Sequence, residues 1–159
     1  CRDAGVTLAS HDDATLAHVD EAITDGVRLA EFPTSLEAAR ASHEAGMSVL
    51  MGAPNIVRGG SHSGNIAARD LADAGILDVL SSDYIPSSLV HAAFLLADGE
   101  GGISPPDAVA LVTSTPARTV GLDDRGEIAP DKRADLVRVR QHHGIPTVRS
   151  VWRRGERVT

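Results

Sequence analysis

One short unit occurs four times in this chain, and that repeat restricts it to folds in which helices alternate with parallel strands. Asp3-Ala4-Gly5-Val6, Thr24-Asp25-Gly26-Val27, Glu44-Ala45-Gly46-Met47 and Asp73-Ala74-Gly75-Ile76 align under one another. Each reads as a helix ending on glycine, which adopts the left-handed conformation after a helix at low cost. The apolar runs that follow, Val6–Ala9, Val27–Ala30, Met47–Met51 and Ile76–Leu80, suit strands buried on both faces. Between them, Thr15–Ile23, Ser35–Glu44 and Asn65–Asp73 carry apolar residues at helical spacing, such as Leu16, Val19 and Ile23, with charges opposite.

Parallel strands joined by helices form an open doubly wound sheet or a closed barrel, and both bind ligands beyond the carboxyl ends of the strands. Those ends read Ser10-His11-Asp12-Asp13, Glu31-Phe32-Pro33-Thr34, Gly52-Ala53-Pro54-Asn55 and Ser81-Ser82-Asp83-Tyr84, each delivering polar or ionisable groups. No glycine-rich phosphate loop follows any strand, which favours the barrel over a nucleotide fold. Helices are expected around Ser88–Ala97, Pro105–Val112 and Pro116–Val120. Ala134–Arg140 and Thr147–Val158 then read as strands, with Gly144-Ile145-Pro146 as the turn. The expected class is α/β: the C-terminal half of a TIM-type (β/α)8 barrel over residues 1–121, and part of a small β-sandwich over residues 122–159. Four βα units cannot close eight strands, so the other half is expected to precede Cys1. The opening Cys1-Arg2-Asp3, with no basic or apolar leader after it, fits a start in mid-protein.

A formal net charge of -7 disfavours a general nucleic-acid binder, which needs a concentrated basic surface. One cysteine makes no internal disulfide, and no apolar run approaches the roughly 20 residues that cross a bilayer. The expectation is a cytoplasmic chain that binds small polar or metal-bound partners, with no membrane partner and with a homo-oligomer allowed.

His11 follows an apolar run and precedes two acids that can orient an imidazole as they do at metal sites. Structure alone also explains such a histidine, and Asp12-Asp13 can equally cap the next helix. Asp83, after Val79-Leu80-Ser81-Ser82, can ligate a divalent metal and take a proton from its water, or merely cap a helix. Glu31, in Leu29-Ala30-Glu31-Phe32-Pro33, needs a metal, a base or water if buried. The stretch from Asn55 to Asn65 reads as a long donor-rich loop in which Arg58 and the amides at Gly59-Gly60 suit an anion, and in which His62 is a candidate substrate contact. Ser63-Gly64-Asn65 leads into the next helix. His18, His43, His91, His142 and His143 read as non-catalytic. No Gly-x-Ser-x-Gly elbow surrounds Ser10, Ser81 or Ser82, so metal-activated water is the expected chemistry.

With His11 and Asp83 on the first and fourth strand ends, the sequence resembles the second half of the amidohydrolase superfamily. Ala9-Ser10-His11-Asp12-Asp13, Glu31-Phe32-Pro33-Thr34, Met51-Gly52-Ala53-Pro54-Asn55, Arg58-Gly59-Gly60-Ser61-His62-Ser63-Gly64-Asn65 and Leu80-Ser81-Ser82-Asp83-Tyr84 are similar to its diphosphatase family of phosphonate catabolism. Thr115-Pro116-Ala117-Arg118, Val120-Gly121-Leu122, Gly126-Glu127-Ile128-Ala129 and Ala134-Asp135-Leu136-Val137 resemble the superfamily's C-terminal signature. Thr115 stands where members commonly have Asn, and Glu31 where many carry a metal-binding His. The resemblance implies hydrolysis of a phosphoanhydride in a phosphorylated ribose, alpha-D-ribose 1-methylphosphonate 5-triphosphate, with release of pyrophosphate. It implies two divalent ions, zinc or alternatively manganese. It further implies His11 as a metal ligand, Asp83 as ligand and general base, and Arg58, His62 and Asn65 on the polyphosphate. Glu31 is carried as a third candidate ligand and Asn55 as a further substrate contact. The missing barrel half would complete the metal site, so residues 1–159 alone are expected to be inactive. The rival readings are an amidohydrolase of a cyclic amide or aminated base, and a non-catalytic anion-binding half barrel.

Overall fold

The computed structural model describes residues 4–61, 63–98 and 103–159. Gly5, Gly26, Gly46 and Gly75 all take positive φ, between 64° and 81°, as the repeat requires. Each turns the chain into a strand of one parallel sheet: β1 (Ala9–His11), β2 (Leu29–Glu31), β3 (Ser48–Gly52) and β4 (Val79–Ser81), adjacent in sequence order. The intervening helices are α1 (Leu16–Asp25), α2 (Leu36–Glu44), α3 (Ala53–Arg58) and α4 (Ala68–Asp73), and α5 (Ser88–Asp98), α6 (Pro105–Ala110) and α7 (Ser114–Thr119) follow. This is the α/β architecture expected from the sequence.

Three local expectations need correction. The first, second and fourth strands begin two or three residues later than the apolar runs, because residues such as Val6 to Leu8 carry the chain from the glycine to the sheet before ladder pairing begins. His11 and Glu31 are therefore the last residues of their strands and face each other in register. The stretch from Asn55 is not all loop: Asn55 and Arg58 sit on α3, a short helix that Pro54 starts. Asp12-Asp13 does not cap α1; the Thr15 hydroxyl accepts from the His18 amide, while buried Asp13 accepts from the Ser10 hydroxyl at 2.5 Å.

The main core lies between the sheet and its helices, with Val49, Met51, Ile56, Leu71, Leu80 and Leu96 buried among many alanines. Small side chains bring helix and strand backbones close. At the glycine end of the sheet, His43 of α2 shares Asp78 with β3: its Nδ1 lies 3.0 Å from the carboxylate oxygen that also accepts the Val49 amide at 2.8 Å. That contact joins α2 to the start of β4. Asp78→Ala should lower unfolding stability by about 1–3 kcal/mol, since it strips an acceptor from a buried amide. Asp78→Asn should recover most of the loss in urea titrations; equal midpoints for all three proteins would count against this account.

The tail forms an antiparallel sheet of β5 (Leu136–His142), β6 (Ile145–Arg153) and β7 (Glu156–Arg157). Its turn is His143-Gly144, both at positive φ, so Ile145 and Pro146 belong to the strand and not to the turn. The run read as Thr147–Val158 is broken by a second turn at Arg154-Gly155. Ahead of the sheet, the Arg125 hydrogen bond holds the Asp124 carboxyl below its ordinary value, and Arg133 pairs with Asp135 at 2.7 Å.

Candidate active site at the strand ends

The rim at the carboxyl ends of β1 to β4 encloses a cleft of about 540 Å³, lined among others by His11, Phe32, Asn55, Arg58, Asn65 and Asp83. His11 is fixed on two sides. Its Nδ1 lies 3.2 Å from the Asp12 carboxylate, and its ring meets Phe32 edge to face at 5.4 Å and 90°. Its Nε2 stands 3.9 Å from Glu31, beyond hydrogen-bond range, so this nitrogen has no hydrogen-bond partner among the described residues. Glu31 does not line the cleft itself and reaches it beside His11.

Asp12, Phe32 and Asp83 take φ of 60°, 55° and 47°, a left-handed backbone that L residues rarely adopt. Each follows a strand by one or two residues, and the bend turns the chain across the rim while Asp12 and Phe32 still donate to Glu31 and Leu50 of the neighbouring strands. Asp83 enters from the far edge of the sheet and makes no hydrogen bond or ion pair among the described residues.

The remaining candidates divide. Arg58 donates to the Tyr84 hydroxyl at 3.3 Å and to the Gly60 carbonyl at 3.0 Å, leaving other guanidinium donors for a ligand. Asn55 Oδ1 is committed to the Ala68 amide at 2.9 Å, so Asn55, and not Ser63-Gly64-Asn65, serves the start of α4. Asn65 lines the cleft. His62 lies outside the described residues. Tyr84 and Phe32 were not singled out from sequence; a contact between an arginine at the end of a helix and a tyrosine two elements away leaves no local signal.

No group of three or more His, Cys, Asp or Glu is gathered as a complete metal cluster among the described residues. The donors nevertheless fit a divalent ion. An imidazole nitrogen without a hydrogen bond, oriented by a carboxylate at its other nitrogen and flanked by Glu31, is the ligand chemistry of zinc or manganese.

The amidohydrolase family profile matches residues 1–159. This chain belongs to the amidohydrolase family. It is 56% identical to alpha-D-ribose 1-methylphosphonate 5-triphosphate diphosphatase of Escherichia coli K12 over 99% of its length, covering 42% of that protein. It is also 42% identical to adenine deaminase of Deinococcus radiodurans over 70% of its length, and 36% identical to imidazolonepropionase of Streptomyces griseus over 57%, covering 22% and 26% of those proteins. The amidohydrolase chain thus spans less than half of the curated relatives it matches. An amidohydrolase from Thermotoga maritima MSB8 superposes with a TM-score of 0.72 at 23% identity, over 96% of this chain and 43% of that one, and A. niger ochratoxinase with 0.67 at 17%, over 98% and 42%. These likenesses show the shared fold. Among the described residues, no helix is long and apolar enough to cross a membrane.

Proposed function

We propose that the full protein is a metal-dependent hydrolase of phosphonate metabolism that cleaves the phosphoanhydride of alpha-D-ribose 1-methylphosphonate 5-triphosphate and releases pyrophosphate. The observation that carries this reading is that His11, Asp83, Arg58 and Asn65 all line one cleft; the first two would serve a metal and the other two an anion. The 56% identity to a diphosphatase supports the choice of substrate. Residues 1–121 would supply half of a barrel and residues 122–159 part of a sandwich, with the remaining strands completing the site.

His11, Glu31 and Asp83 would hold divalent metal, zinc or manganese, with two ions in the complete site. Such an ion supplies Lewis acidity that acidifies water and offsets phosphate charge. Asp83, which makes no hydrogen bond or ion pair among the described residues, would accept the proton of the attacking water. Asp12 and Phe32 keep the His11 ring in one orientation. Arg58 brings local positive charge to a protein of net charge -7, and its remaining donors can grip a phosphate bidentately. Asn65, His62 and the amide nitrogen of Asn55 would complete the polyphosphate contacts.

The deaminase and imidazolonepropionase relatives favour a second reading, attack of water on a base or cyclic amide. Incubating full-length metal-loaded protein with the ribose 5-triphosphate, with adenine and with imidazolonepropionate separates the two. Pyrophosphate release only from the first is the expected result; ammonia release or ring opening without pyrophosphate would replace the proposal with its rival.

A further inference from the structure

We infer that Gly52 is a positioning residue for Asp83, kept as glycine to leave room for the carboxylate. The inference rests on the reading of Asp83 as the proton acceptor. Gly52 closes β3 in register with Ser81 of β4 and precedes α3. Its φ of -74° and ψ of 128° are open to any L residue, so backbone conformation does not explain the glycine. Space does. A Cβ at position 52 would stand 3.0 Å from Asp83 Oδ2, 3.4 Å from its Cβ and 3.6 Å from its Cγ. The distances to Cβ and Cγ are ordinary contacts, but the one to Oδ2 is too tight, so the carboxylate oxygen would have to give way.

Two features show that this contact concerns the carboxylate and not general packing. The three nearest atoms that a Cβ would meet all belong to Asp83. Asp83 is itself held in a left-handed backbone at φ 47°, which commits its side chain to this side of the rim. With no other polar partner among the described residues, the carboxylate is located by the strained backbone on one side and by the bare Cα of Gly52 on the other.

Gly52→Ala in the full-length enzyme should lower kcat about 10- to 100-fold, the effect of a small misplacement of a reacting group. KM should stay within about twofold, because binding contacts are untouched. Melting temperature should hold or rise, since alanine fits this backbone and restricts the unfolded chain. A crystal structure of the variant should show the Asp83 side chain shifted or in another rotamer, and Gly52→Ala should have no further effect on an Asp83→Asn background. An unchanged kcat in Gly52→Ala, with Asp83→Asn impaired, overturns the inference alone. Equal losses on the wild-type and Asp83→Asn backgrounds overturn it too, by showing a structural role. Full activity in Asp83→Asn removes the reading of Asp83 and the inference with it.

Discussion

Asp83→Asn should lower kcat of the full-length enzyme by roughly 10²–10⁴, the span that a positioned general base contributes. Asn keeps the shape and one acceptor oxygen but cannot take a proton at neutral pH, so at equal metal content, checked by elemental analysis, the loss reports proton transfer more than packing. Asp83 makes no hydrogen bond or ion pair among the described residues, and the exchange breaks no network. Stability should accordingly change little, and urea midpoints of the two proteins should coincide. Substrate binding, measured by calorimetry with turnover blocked, should be retained to the extent that Arg58 and Asn65 carry it. If the rate of pyrophosphate release were the same in both proteins, water activation would have to be assigned elsewhere on the rim.

The second large effect concerns the junction after α7. Gly126 has φ 93°, and a Cβ there would lie 2.7 Å from the Ser114 Cα, 3.0 Å from the Thr113 carbonyl oxygen and 3.1 Å from the Ala117 Cβ. Two penalties combine in Gly126→Ala. The left-handed backbone disfavours an L residue by about 1–2 kcal/mol, and forcing an atom into a packed site costs about 1–3 kcal/mol more. Here the obstacle is backbone and cannot rotate away. The expected loss is about 2–5 kcal/mol, read as a lowered denaturation midpoint, with kcat of the surviving folded fraction unchanged because α7 is remote from the cleft. A variant as stable as the parent would mean that the segment from Leu122 onward does not pack on α7 in solution.

The frame was legible because it depends on local chemistry repeated along the chain. Each glycine that ends a repeat takes the left-handed conformation, and each following apolar run enters the sheet. His11, Asp83, Arg58 and Asn65 were also readable as candidates, since residues at strand ends are brought to one rim by any parallel βα fold. What could not be read was pairing across elements. Glu31 faces His11 because ladder pairing starts three or four residues after the glycine turn, a register that apolar runs do not reveal. Asn55 looks like a ligand contact by composition, yet the start of α4 lacks a side-chain cap of its own and takes Asn55 Oδ1 instead. The helix Ala53–Arg58 was hidden by the glycines and serines that follow it, which gave the whole segment the composition of a loop.

His11 closes one outer strand of the four-stranded sheet, and Asp83 follows the other. Three strand pairings lie between them, so the twist and curvature of the sheet set the gap. The separation of the two is thus a mechanical property of the sheet. Side chains that govern how β2 and β3 coil against their helices, Val49 foremost, act as its calibration, and a repacking below the rim can retune the reacting distance without altering any residue that lines the cleft.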